Sequence, residues 1–163
     1  MNPMKSMVLA VLVAMATRAE GDAGALAAQM KGVKVTLAQG LKASAAKGKP
    51  ISAKFEVEDG KLQLSVYTAK DGAFSEVVVD HKTGKVAKSE PITSGDDLTA
   101  AKAQSEAMSS AKTSLQAAVS KAEKANKGYR AVSVVPSVKD GHPGAKVILM
   151  KGAESKTETE KLD

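Results

Sequence analysis

From Ile51 the chain alternates. Ile51, Ala53, Phe55 and Val57 are apolar, while Ser52, Lys54, Glu56 and Glu58 between them are polar, the period-two pattern of a half-buried strand. Asp59-Gly60 follows, a pair suited to a type I′ turn because both central positions need positive φ. Leu62, Leu64 and Val66 return on the same face, Asp71-Gly72 makes a second turn, and residues 74–80 form a third strand. Ahead of this meander, Thr36 is a candidate N-cap for a short helix with a Leu37, Leu41, Ala45 stripe, ended by Gly48 before Pro50. Residues 17–32 are polar and predict a mobile N-terminal segment.

The pattern then recurs. From Asp96 and Asp97 to Lys121, Lys124 and Lys127 the chain is strongly helical, with end charges that complement the helix dipole. Ala101, Met108, Leu115 and Ala122, with Ala111, Ala118 and Ala125, form a stripe interrupted only by Gln104. Ser109-Ser110 is the candidate break point, and packing along a sheet is favoured over a coiled coil because an Ala-rich seam buries little. Aligning Asp140-Gly141 with Asp59-Gly60 sets Val132, Val134, Pro136 and Val138 on the positions of Ile51, Ala53, Phe55 and Val57. Ala145, Val147 and Leu149 follow, and residues 155–162 form an exposed third strand of alternating Thr and Glu. Pro136 lacks a donor and predicts an edge position or a bulge. The expected fold is α+β: two tandem repeats, residues 33–93 and 94–163, each a helix on a three-stranded antiparallel meander.

With two Phe, two Tyr and no Trp, any core must be built from Val, Leu, Ile, Met and Ala. The net charge of +6 invites a nucleic-acid reading, but only Arg18 and Arg130 are arginines and the lysines are interleaved with acids. Base reading favours the guanidinium and single-strand binding favours aromatic platforms, so no specific nucleic-acid partner is expected.

The first residues change the picture more. A short basic start, the apolar run Ser6 to Ala16 and the A-x-A site at Ala14-Met15-Ala16 have the order of a secretory signal peptide, residues 1–16. Cleavage there removes Lys5 and no acid, taking the charge from +6 to +5. No later stretch is long enough to span a bilayer, and there is no cysteine. The expected product is exported, periplasmic or extracellular.

Residues 35–86 carry "TLAQGLKASAAKGKPISAKFEVEDGKLQLSVY" and "VVVDHKTGKV". This region resembles the PepSY domain, whose V-D-x-x-T-G-x-V ending the second stretch matches; the second half is similar in its helix and its "AVSVVPSVKDGHPGAKVIL" hairpin and lacks that ending. The resemblance implies a small bacterial module without catalytic residues, of a kind found in peptidase propeptides and exported proteins and associated with peptidase inhibition or regulation. Asp80, Thr83 and Gly84 match its motif, and their role is structural: Asp80 accepts backbone N–H groups across the turn and Gly84 takes a left-handed conformation.

Candidate chemistry is sparse. There is no H-E-x-x-H, G-x-S-x-G or Walker loop. His81 and His142 each neighbour a turn and have no ligand spacing, so neither a metal nor another cofactor is expected. A binding role has one pointer: Ile148 and Met150 lie opposite Val147 and Leu149, and Tyr67 gives the first sheet a weaker version of the same two-sidedness. Such sheets need cover, supplied by the long helix, by the other repeat or by a partner protein. The expected function is a non-enzymatic binding module regulating a peptidase or another envelope protein; the alternative is a lysine-rich binder of anionic envelope polymers or lipid surfaces.

Overall fold

Asp-Gly pairs set the sheet. Asp59, Asp71 and Asp140 have φ of 49°, 53° and 52°, and each is followed by a glycine at positive φ, so all three hairpins close as the sequence predicts. The computed structural model describes residues 19–163, and the expected signal peptide lies outside the described residues. The strands are β1 (Lys49–Glu58), β2 (Lys61–Lys70), β3 (Ala73–Val79), β4 (Val86–Ile92), β5 (Arg130–Lys139), β6 (His142–Lys151) and β7 (Glu154–Lys161). They form one seven-stranded antiparallel sheet in the order β4-β3-β2-β1-β5-β6-β7.

The strands β1–β3 and β5–β7 keep the same register. Asp59 and Asp140 lie 81 positions apart (140 − 59), and that shift carries Ala53↔Val66 onto Val134↔Val147 and Leu64↔Val79 onto Ala145↔Glu160. The irregularities coincide too: β1 shifts register between Pro50 and Ser52, and β5 between Ala131 and Ser133. The strands β1 and β5 meet through Ala53↔Val134 and Lys54↔Ser133, and the first pair is related by the same shift of 81. Pro136 departs from expectation: it pairs with Ala145 of β6 in the inner strand β5, away from the irregularity at Ala131–Ser133, and it lies beyond the short β1–β5 pairing.

Four helices cover the sheet: α1 (Ala19–Met30), α2 (Leu37–Ser44), α3 (Gly95–Ser109) and α4 (Leu115–Ala125). Thr36 caps α2, accepting from the Gln39 N–H while the Gln39 side chain accepts from the Thr36 N–H, a capping box. The α2 stripe differs from expectation. Leu37, Gly40, Leu41 and Ser44 are buried and Ala45 is exposed, because the last turn tightens into a 3₁₀ turn over Ala45–Lys47. The long helix breaks after Ser109, as the serine pair suggests. Leu162 fills the break: it is fully buried, and its carbonyl accepts from the Lys112 and Thr113 N–H groups at 2.6 and 2.9 Å.

Both faces of the sheet are occupied. Gly40 of α2 stands so close to Leu64 that a Cβ there would lie 2.8 Å from its Cδ2, which places α2 over the Leu64 face, and α4 packs beside α2. Lys54 and Ser52 point to the other face. There Ser52 donates to Gln104 of α3 at 2.6 Å, so α3 crosses that side, against β1, β2, β5 and β6.

Two expectations need correction. The mobile segment of residues 17–32 is, from Ala19, the helix α1, held by tertiary partners the sequence does not display. Gln29 of α1 bonds the first hairpin through the Gly60 carbonyl and the Leu62 N–H, and the Arg130 guanidinium donates to the carbonyls of Met30, Val33 and Val35. The first meander has four strands and not three: after the turn at Asp80, β4 pairs along β3 from Val79↔Val86 to Phe74↔Ile92. The open edge of β3 induces the strand, since the β4 sequence is polar and mostly exposed.

Candidate functional site

On the face beneath α3, polar groups gather in the first half of the sheet. Lys54 is 4% exposed and pairs with Glu56 at 2.7 Å. The Ser65 hydroxyl donates to Glu76 at 2.9 Å, and the Gln63 amide donates to Ser65 and to Glu76. Tyr67 is 2% exposed, its ring centroid 6.0 Å from the Lys54 ammonium, and its hydroxyl has no hydrogen-bond partner among the described residues. Asp97, in the first turn of α3, closes the group. Tyr67, Glu76, Glu90, Ile92, Ser94 and Asp97 line a cleft of about 130 Å³, along with Pro91 and Thr93.

Burial governs the protonation of these groups. It pushes the Glu76 carboxyl up against the opposing pull of the Ser65 hydrogen bond, and it pushes Asp97 up against the attraction of Lys54. The Tyr67 hydroxyl is driven far above its ordinary range by burial first and then by the charge of Glu76. The arrangement concentrates negative charge around an unbonded hydroxyl. The Ser65 hydroxyl is engaged by Glu76, and no histidine stands in the cluster.

The Asp80 carboxylate accepts from the Lys82 and Thr83 N–H groups at 2.8 and 3.1 Å, and those bonds hold it below the usual carboxylate range. Thr83 Oγ1 accepts from the Lys85 N–H, and Gly84 has φ of 75°. The two histidines do not converge: His81 follows β3 and His142 opens β6, at opposite ends of the sheet. Four strand spacings alone part them by about 19 Å. His142 instead contacts Asp163 through Nδ1 at 2.6 Å. Among the described residues no group of three or more His, Asp or Glu could hold a metal ion, and no helix is long and apolar enough to cross a membrane.

The suspected partner surface is covered from within. Tyr67 and Met150 are buried and Ile148 is half-buried, because α3 crosses the face they share with Ser52 and Ser133. Sequence reasoning missed Lys54, Glu56 and Glu76, which an alternating pattern sends to solvent, and Asp97, which it read only as a helix-start charge. A signal was present in Ser52, Ser65 and Ser133, small polar residues on the supposed outer face that let a helix approach. No protein-family model, curated protein or solved structure matches this chain.

Proposed function

We propose that the chain is an exported, non-enzymatic binding module of two PepSY-like repeats that regulates a peptidase or another envelope protein. The observation that carries this reading is the shared register, in which one shift of 81 relates β1–β3 to β5–β7, bulge included. Duplication of one helix-and-meander unit explains a coincidence that independent folding of two halves does not. The described residues are then spent on a scaffold, and the outer edge of β4 presents unpaired backbone to which an extended peptide can add. Processed protein, residues 17–163, is to be tested against a panel of secreted metallopeptidases and used to capture partners from envelope extract. Inhibition or a stoichiometric complex is expected; no complex with any peptidase or envelope protein overturns the reading.

Segregated charge favours a second reading. Between Asp22 and Glu56 the chain carries Lys31, Lys34, Lys42, Lys47, Lys49 and Lys54 and no acid, and α4 and its C-terminal end add Lys121, Lys124 and Lys127. Lys54 is buried beside the cleft and Lys49 reaches the Met108 carbonyl of α3. The exposed Lys42, Lys47, Lys121, Lys124 and Lys127 lie on or beside α2 and α4, a layer that suits an anionic polymer or lipid headgroup layer. Binding to anionic vesicles that fades steeply between low and high salt supports it, and salt-insensitive binding counts against it.

A further inference from the structure

We propose that the cleft between the end of β4 and the start of α3 binds a primary ammonium, the side chain of a lysine on a partner segment laid along the β4 edge. This deepens the binding-module reading and rests on it.

Three observations converge. The Tyr67 hydroxyl is fully buried with no partner among the described residues, which costs the desolvation of a polar group unless something fills the cleft beside it. The wall is acidic in excess of its cations: Lys54 is taken by Glu56 and Lys88 by Glu90, while neither Glu76 nor Asp97 has a cation within ion-pair distance among the described residues. Finally, the scaffold does not require the cluster. Under the shift of 81, Lys54, Glu56, Tyr67 and Glu76 correspond to Val135, Ser137, Ile148 and Thr157, and the second half of the sheet forms with the same pairing without them.

The ligand's chemistry follows from the wall. An anion would face three carboxylates. A divalent ion would need converging ligands in a closed set, and among the described residues no such group of three exists. An ammonium has three donors and no acceptor, matching acceptors on the Tyr67 hydroxyl, Glu76 and Asp97. The α3 N-terminus opposes a cation, and Asp96 and Asp97 in its first turn offset that field. Room for an ammonium and part of its stem is available in about 130 Å³. Glu90, Pro91 and Ile92 carry the cleft onto the outer strand, so a segment adding there brings a side chain to its mouth.

The test is NMR titration of the full chain with Nα-acetyl-lysine methylamide, and with Nα-acetyl-norleucine methylamide as the uncharged comparison. Saturable shifts of the Tyr67 ring and the Ser94 amide with the lysine compound alone are expected. Asp97→Asn and Tyr67→Phe should each weaken binding by on the order of tenfold, and Tyr67→Phe keeps the ring and hence the fold. A lysine-centred extended heptapeptide should bind more tightly and also shift the amides of β4. Equal response to the norleucine compound, or none to either, overturns the site and leaves the cleft to water. A lysine response with no gain from the heptapeptide keeps the ammonium site and overturns the strand docking. Capture of an envelope partner by a chain with no lysine response overturns this inference while leaving the binding-module reading intact.

Discussion

The two halves of the sheet share a register and differ in what fills it. In the first, Leu64 projects from β2 and α2 yields with Gly40, whose Cβ would lie 2.8 Å from Leu64. In the second, the matching sheet position is Ala145 and the matching helix position is Lys121, while α4 brings Leu115 and Val119 to the core. Volume has moved from sheet to helix at constant backbone pairing. On the opposite face the contrast is chemical: Lys54, Tyr67 and Glu76 against Val135, Ile148 and Thr157. Backbone register is therefore the common property of the halves, and each face is free to specialise. The polar cleft belongs to the half that gains β4 and the start of α3.

The largest effect should come from Leu64→Ala, which empties the sheet-borne volume of the first half. A loss of about 2–5 kcal/mol by denaturant unfolding is expected, well above the loss from Ala145→Gly in the second. Gly40→Ala should cost about 1–3 kcal/mol by overpacking, and combining it with Leu64→Ala should cost less than the sum. Additive values would break the claim that the two positions share one volume. Arg130→Met removes the donor to Met30, Val33 and Val35, and should raise amide exchange across α1 more than across α4. Tyr67→Phe should be neutral or stabilising by up to about 1 kcal/mol without ligand, because it deletes an unpartnered hydroxyl.

The smallest effects are in pH. The folded carboxyl of Glu76 is raised, so its ionisation opposes folding as pH climbs from the unfolded carboxylate value through the folded one. Glu76→Gln should thus match the parent in acid and exceed it near neutrality. Asp80 has the opposite sign: its folded carboxyl is lowered, its contribution is full above the unfolded value, and it fades as acid protonates it. Asp80→Asn should narrow the stability gap between pH 7 and pH 3, and identical pH profiles would remove Asp80 from the turn's energetics.

Much of the fold was legible because its signals are local. The Thr36 cap, the Asp-Gly turns and the Asp80–Gly84 turn each need only a few neighbouring residues and one backbone conformation. The break after Ser109 was visible for the same reason, although its plug, Leu162, sits more than fifty positions away. α1 was misread since its cohesion comes from Arg130 and Gln29 contacts, and β4 since a polar strand forms only where an edge awaits it. The cleft was illegible beyond Tyr67. Polar residues at alternate positions read as solvated until a helix is known to lie over them.

The sequence by itself determined the strand period, the hairpin turns, the helix caps and the recurrence after 81 positions, for these depend on φ preferences and side-chain alternation along the chain. Only the tertiary structure decided which face α3 covers, and with it whether Lys54, Tyr67 and Glu76 meet water or one another. Alternation assigns residues to faces, but a face becomes an interior only when another element, arriving from elsewhere in the chain, excludes the solvent.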